Sequence, residues 1–252
     1  MPVNTQLIFA GPLFHTVDFW IFNLNPDALD WLKPLLKTKK TLSGIDLKQK
    51  YSDILIFPQK EHNKKAVIKK IKFQKAADYL RRYIGESQGY REYVASKTLA
   101  SIKIQCPAPI GYGVNLSPFG QYESVYICEY IEDTLNGIEL FNQEKDTEKK
   151  NSFFDSTARD LARIHSKGLF HKDGRFGNIL CRYADPGDIF WIDNDLKIFK
   201  SFSKRYEKIA LDRFRKLLSQ GFITFKEWKF FQSSYFFYVR HGIDIEDDKD
   251  KK

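Results

Sequence analysis

The chain contains the octapeptide His171-Lys172-Asp173-Gly174-Arg175-Phe176-Gly177-Asn178, and fifteen residues beyond Asn178 an apolar run ends in Ile192-Asp193-Asn194-Asp195. A carboxylate, a carboxamide five residues on and a second carboxylate closing a strand are the groups that phosphoryl transfer from a nucleotide requires. One must accept a hydroxyl proton, and two must hold a divalent cation against the phosphates. Asp173 is the candidate catalytic base, because an Asp on a tight loop can accept a hydrogen bond from an attacking hydroxyl and orient it. Arg175 could bridge toward the charge that develops on the transferred phosphate. Asn178 and Asp193 are candidate Mg2+ ligands. Asp195 is either a further ligand or an acid standing behind one, or else a loop cap or a salt-bridge partner. The competing reading of the octapeptide is a plain turn, since Asp, Gly and Asn are common turn formers.

The elements around these residues must hold them. Phe153, Phe154, Ala158, Leu161, Ala162 and Ile164 recur with a 3.6-residue period and predict a helix over 152–166, which Gly168 stops just before the motif. His165 and His171 read as packed, hydrogen-bonded residues that fix the loop rather than as metal ligands. Upstream, Ala66-Val67-Ile68-Lys69 sets a Lys inside an apolar strand, where its charge needs an anionic partner. Nucleotide phosphates and a helix carboxylate would supply one, with Glu92 the best candidate and Glu86 a weaker one. Lys70 falls on the opposite strand face and is expected to be solvent-exposed.

Strands are expected at 52–57 and 66–73 as a hairpin, at 110–114 and 125–130, and as short pieces at 179–181 and 189–192 around Asp185-Pro186-Gly187-Asp188. A short helix follows Asn25-Pro26-Asp27 at 28–36. A helical stretch over 76–102 is divided by Gly85 and Gly89, and the chain after Asp195 is mostly helical. The sheet is therefore N-terminal, and a mixed sheet is expected. Two mixed-charge runs, 144–150 and 247–252, read as solvated faces with no specific role.

At 252 residues, 42% hydrophobic and 15% aromatic, the chain can build one large domain or two small lobes, and disorder is not the default. The formal net charge is +9, with about +12 carried by residues 33–103. Such an excess suits an anionic partner: nucleotide phosphates, an anionic membrane surface or nucleic acid. No nucleic-acid recognition signature accompanies the charge, so no nucleic acid is expected. Cys106, Cys128 and Cys181 are odd in number and far apart, which predicts reduced thiols in an intracellular protein. Neither a signal peptide nor a membrane-spanning run is expected, so membrane association would be peripheral.

A Val-Ile-Lys strand, a Glu-bearing helix, a His-x-Asp-x4-Asn loop and an Ile-Asp strand end, in that order, resemble the protein-kinase-like superfamily over residues 50–200. Within it the chain most resembles the bacterial lipopolysaccharide core kinases, which phosphorylate heptose or Kdo. Three features carry this: Ile-Asp-x-Asp in place of Asp-Phe-Gly, the run Cys106-Pro107-Ala108-Pro109-Ile110-Gly111-Tyr112-Gly113, and a small C-terminal lobe. The resemblance implies an α+β, two-lobed protein-kinase-like fold forming one catalytic domain over 1–252. Its parts would be an N-terminal mixed-sheet lobe (1–128), a hinge (129–131) and a small, mostly helical C-terminal lobe (132–252).

The resemblance also implies ATP and Mg2+, with Lys69 on the α/β-phosphates, Glu92 as its ion-pair partner, and the backbone at Glu129 and Ile131 hydrogen-bonding adenine. The acceptor would be a sugar hydroxyl of a lipopolysaccharide precursor. The protein would be cytoplasmic, peripheral on the anionic cytoplasmic face of the inner membrane; protein partners are not legible. Three departures stand out: no Gly-x-Gly-x-x-Gly loop precedes Lys69, no Ala-Pro-Glu follows Asp193, and Asn194 replaces the usual Phe. The phosphate-covering loop would fall within 41–52. A soluble kinase of the aminoglycoside or choline type is the nearest alternative, opposed by the 59 residues that follow Asp193, too few for a large acceptor subdomain. A non-catalytic kinase-like scaffold would show damaged base or metal positions, whereas all are filled.

Overall fold

The computed structural model describes residues 5–13, 16–24, 46–48, 51–58, 65–73, 76–117, 121–200 and 203–242. The expected helix at 28–36, most of the expected phosphate-covering loop and the charge run at 247–252 lie outside the described residues. Two compact units emerge, one of residues 1–97 with 107–131, the other of residues 98–106 with 132–252.

In the first unit seven strands pair in the order β1-β2-β6-β7-β5-β4-β3. They are β1 (Thr5–Leu13), β2 (Thr16–Leu24), β3 (Asp46–Lys48), β4 (Ser52–Pro58), β5 (Lys65–Lys72), β6 (Pro109–Asn115) and β7 (Tyr122–Glu129). Every pairing is antiparallel, which corrects the expected mixed sheet. The reason lies in the helical crossover from β5 to β6. It lands one position too far for the two strands to pair, and β7 fills the gap antiparallel to both. The hairpin of β1 and β2 uses the aromatic-rich opening of the chain, and Trp20, Phe22 and Leu24 are fully buried.

The crossover begins with α1 (Ala76–Arg81), tightens into a 3-10 turn (Arg82–Ile84) and breaks at Gly85, whose φ of 78° is open to glycine at no steric cost. It resumes as α2 (Gln88–Ser101). Gly89 does not divide the helix as expected. It lies in the first turn of α2, where a Cβ would sit 2.4 Å from the Val125 carbonyl oxygen, so glycine lets the helix approach β7. Lys70 also departs from expectation. It is 8% exposed, and its ammonium lies 5.0 Å from the centroid of the Tyr122 ring, so an aromatic face covers the charge.

The second unit is mostly helical: α3 (Gly137–Gln143), α4 (Thr147–Ser166), α5 (Lys204–Ser219) and α6 (Phe225–His241). Two small antiparallel sheets accompany them. One orders β11 (Ile189–Trp191), β10 (Ile179–Arg182) and β8 (Thr134–Asn136); the other pairs β12 (Leu196–Ile198) with β9 (Leu169–His171). The charge run at 144–150 has local work after all. Asp146 caps α4 by accepting the Glu148 N–H at 2.8 Å, and Lys150 pairs with Glu227 of α6 at 3.2 Å. Phe141, Phe153, Phe154, Phe176, Phe214 and Phe231 form an aromatic core beneath the small sheets.

Candidate active site

The small sheets of the second unit bring the motif residues together. Strand β9 ends at His171, which stands opposite Leu196 of β12. A 3-10 turn, Phe176–Asn178, then feeds β10, whose Ile179 pairs with Trp191 of β11. The Ile192 N–H donates to the Asn178 carbonyl at 3.0 Å, so Asn178 and the segment entering Asp193 are backbone neighbours despite their separation in sequence.

Asn178 is buried, and its amide nitrogen donates to both the carbonyl and Oδ2 of Asp173, each at 2.9 Å. That commitment leaves Oδ1 of Asn178 as the atom suited to a cation. The Asp173 side chain is 52% exposed and lies 3.4 Å from the equally accessible Arg175 guanidinium. Asp193 has φ of 54°, a left-handed conformation that non-glycine residues seldom adopt and that clusters at functional sites. Asp195 is engaged by Lys172, side chain to side chain at 2.8 Å and through the Lys172 N–H to its carbonyl at 2.8 Å. The side-chain contact uses one carboxylate oxygen, Oδ1.

In the first unit, Lys69 Nζ lies 2.7 Å from Glu92 Oε1, with the carboxylate 3% exposed. Glu86 is exposed and plays no part in that pair. Glu129 closes β7 opposite Ala66 and donates its N–H to the Ala108 carbonyl at 2.9 Å; Ile131 is half-buried at the end of the unit. Among the described residues no group of three or more His, Cys, Asp or Glu is disposed to hold a metal ion. An amide oxygen and a carboxylate are nevertheless a donor set that suits Mg2+, which keeps several waters and takes the rest of its shell from phosphates.

The segment leading to Asp193 is anchored from α4. Trp191 Nε1 donates to Asp160 Oδ2 at 3.0 Å, and the Trp191 N–H donates to the Gln105 carbonyl at 2.9 Å. Burial pushes the Asp160 carboxyl up to about 6 from 3.8, opposed by the Trp191 hydrogen bond and by Arg159 and Arg163. Between these two values the folded state holds a proton that the unfolded chain has lost, so this group's contribution to stability falls as pH rises through the window. Asp160→Asn keeps an oxygen for Trp191 and removes that cost. The variant is expected to be more stable than the parent at pH 7.5, by about 2 kcal/mol in urea denaturation, with the difference vanishing near pH 4. Parallel pH profiles for the two proteins would mean that Asp160 titrates as it does in the unfolded chain.

A sequence model of the lipopolysaccharide kinase (Kdo/WaaP) family matches residues 49–235. The chain belongs to that family. Lipopolysaccharide kinases are phosphotransferases that use ATP and act on sugar hydroxyls of lipopolysaccharide. No curated relative matches the sequence. Among solved structures the chain is similar to WaaP, solved in complex with acyl carrier protein, at 16% identity and a TM-score of 0.60, over 90% of this chain and 93% of that one. The likeness shows the fold, an α+β protein-kinase-like one.

In this lipopolysaccharide kinase the replacement of the usual Phe by Asn194 has a physical counterpart. Asn194 is 2% exposed; its Oδ1 lies 2.9 Å from His171 Nε2, and its amide donates to the Trp191 carbonyl at 3.1 Å. His171 Nδ1 accepts the Asp173 N–H at 3.3 Å, so the proton belongs on Nε2, where it donates to Asn194. Burial lowers the His171 pKa, against the Asn194 hydrogen bond and the nearby Asp173, Asp193 and Asp195, so the ring is neutral. A polar anchor thus joins the Asp173 loop to the Asp193 segment where an apolar one would otherwise stand.

His165 has the packed role expected of it. Its Nδ1 is 2.7 Å from the Tyr235 hydroxyl, and burial lowers its pKa to about 3. Arg213 of α5 was not anticipated from sequence. Its guanidinium donates to the His171 carbonyl at 3.2 Å and to the Lys172 carbonyl, and it lies 5.0 Å from the Phe170 ring centroid. It clamps the backbone immediately before Asp173.

Proposed function

We propose that this kinase transfers the γ-phosphate of ATP to a hydroxyl of an inner-core sugar, heptose or Kdo, of a lipopolysaccharide precursor. It would do so as one catalytic domain, in the cytoplasm at the inner-membrane surface. The observation that carries the reading is the Asp173–Asn178 pair, with Asn178 hydrogen-bonded in backbone to the residue preceding the left-handed Asp193. A half-exposed carboxylate held by a buried amide can receive a proton, beside two oxygen donors of the kind that hold a metal on phosphates.

In the step itself the sugar hydroxyl donates its proton to the Asp173 carboxylate as its oxygen bonds the γ-phosphorus. The bond from that phosphorus to the β-bridging oxygen breaks, and ADP leaves. Asn178 Oδ1 and the Asp193 carboxylate would hold Mg2+, which when bound neutralises phosphate charge. Asp195, already paired with Lys172, would steady the loop. Arg175 would meet charge on the transferred group, Lys69 the α/β-phosphates, and the backbone at Glu129 and Ile131 the adenine. Glu92 would fix the Lys69 ammonium in place through their 2.7 Å pair. A sugar fits better than a protein side chain as acceptor, because no Ala-Pro-Glu segment follows Asp193 to build a peptide platform. WaaP was solved with acyl carrier protein, and that carrier is the first protein partner to test here.

The test is transfer of labelled γ-phosphate from Mg2+-ATP to defined core precursors, read by mass. One added phosphate on heptose or Kdo is expected. Transfer only to a soluble aminoglycoside or to choline would move the chain to the other kinase class. Absence of both nucleotide binding and ATP turnover would leave a scaffold.

A further inference from the structure

The Lys69–Glu92 pair joins a strand to a helix, so it forms only while α2 keeps one height and one rotation over the sheet. In kinases with an activation segment that placement is variable, and the ion pair assembles only when the segment and the helix have moved into place. No Ala-Pro-Glu follows Asp193 in this chain, and the sheet holds the helix directly.

The contacts come from β7 and bracket Glu92 by one helical turn on either side. Gln88, Glu92 and Ser96 are four residues apart and so share one face of α2. Before Glu92, the Gln88 N–H donates to both carboxylate oxygens of Glu123, at 3.1 and 3.2 Å. The Gly89 N–H donates to Ser124 Oγ at 2.9 Å, and that hydroxyl donates on to Glu123 Oε2 at 3.0 Å. After Glu92, the Tyr126 hydroxyl donates to Ser96 Oγ at 3.0 Å. Tyr126 stands opposite Lys69 in the β5–β7 ladder, so the two side chains leave the same face of the sheet.

Adjacent residues of a regular strand face opposite sides, so Glu123 and Ser124 should not both reach one helix. An irregularity in β7 allows it. Ile71 of β5 opposes Ser124 and Lys72 opposes Tyr122, which leaves Glu123 as the extra residue of a bulge and re-aims its side chain. Stability of the helix alone does not call for this arrangement, because Ser87 already accepts the Tyr90 N–H at 3.3 Å as a local cap. Nor is a buried acid a cheap choice. Glu123 is 3% exposed, and burial pushes its carboxyl up, against the Gln88 N–H and Ser124. What a strand carboxylate adds, and a local cap cannot, is a tie between helix and sheet. Gly89 lets the tie close, since a Cβ there would meet the Val125 carbonyl.

Resting on the reading of Lys69 as the α/β-phosphate contact, we propose that Glu123, with Ser124 and Tyr126, is a positioning residue for phosphate transfer. Strand β7 holds α2 so that Glu92 presents the Lys69 ammonium to the nucleotide. The pair is then a fixed part of the site and not a switch.

The experiment is a double-mutant cycle on the full chain. Glu123→Gln keeps the volume but turns one of the two acceptor oxygens into a donor. It is expected to lower kcat about tenfold, with KM for the acceptor within about twofold of the parent. Glu92→Gln should lower kcat about 10²-fold, and adding Glu123→Gln to it should cost less than about twofold more, because Glu123 acts through the pair. An equal tenfold loss in both backgrounds would give Glu123 a merely structural role and overturns the proposal. Tyr126→Phe removes a single hydroxyl and should lower kcat about threefold, again only where Glu92 is present. It carries the same test if Glu123→Gln does not fold. The pair can also be read without phosphate transfer, from the rate at which acetic anhydride labels Lys69, followed by tandem mass spectrometry. That rate should rise at least about threefold in Glu123→Gln and should not rise further when Glu123→Gln is added to Glu92→Gln. Parental labelling rates in both Glu123→Gln and Tyr126→Phe overturn the proposal. Faster labelling of Lys69 in a protein whose parent transfers no phosphate supports the tie, in which case the kinase reading alone fails.

Discussion

Asp173→Ala is expected to lower kcat for phosphate transfer by about 10³-fold while changing the dissociation constant for ATP by less than about threefold. The asymmetry follows from where the carboxylate stands. Its side chain is half exposed, and its polar contacts are to Asn178 and Arg175, so removing it opens no cavity and should cost little stability. What disappears is the acceptor for the hydroxyl proton, a group needed only as the new bond forms. Asp173→Asn is the sharper control, since it retains an oxygen for the Asn178 amide yet cannot take up a proton at neutral pH. Both variants should behave alike in kcat while Asn keeps the parent's melting temperature. A variant that phosphorylates its acceptor at the parent's rate would show that Asp173 is not the base. A loss confined to KM for ATP would assign it to nucleotide binding instead.

The parts of the site that could be read from sequence are those whose partners are local or forced. Asp173 and Asn178 lie five residues apart in one turn, so their spacing alone predicts contact. Lys69 sits in an apolar strand and must find an anion, which narrows the choice to the carboxylates of the next helix. Asn178 and the Asp193 segment meet because two short strands flank a four-residue turn signal, a pattern visible in the chain. Arg213 offers no such handle. It is one of several basic residues in Asp212-Arg213-Phe214-Arg215-Lys216, and only the packing of α5 decides which one reaches the His171 carbonyl.

Asn194 was legible as a departure but not as a replacement, since its two partners are a buried imidazole and a carbonyl that only the fold brings together. Lys70 misled for a related reason. Strand alternation gives the face a residue points to, but not what covers that face, and here an aromatic ring does. The antiparallel sheet was hidden because strand order depends on where a crossover lands, which no local period records.

Phe176 lies inside the octapeptide, where it reads as loop, and its loss should have the largest effect on stability. It is fully buried, with ring centroids 4.7 to 5.8 Å from those of Phe141, Phe153, Phe154, Phe214 and Phe231. Its backbone is equally enclosed: a Cβ on Gly137 of α3 would lie 2.6 Å from the Phe176 carbonyl oxygen. The turn that presents Asn178 is therefore held from below by an aromatic side chain two residues earlier. Phe176→Ala should cost about 3–5 kcal/mol in urea denaturation, because the helices around the ring can close the cavity only in part. That is a large share of the roughly 5–15 kcal/mol by which domains are stable. Phe176→Leu, which fills most of the volume, should cost about 1–2 kcal/mol and stay folded at assay temperature. With the Leu variant, kcat should fall while the dissociation constant for ATP holds, because a loosened turn displaces Asn178 and Asp173 and leaves the Lys69–Glu92 pair of the other unit alone. A Leu variant with parental kcat and reduced stability would separate core packing from site geometry. An Ala variant as stable as the parent would show that the aromatic cluster is not what seats the turn.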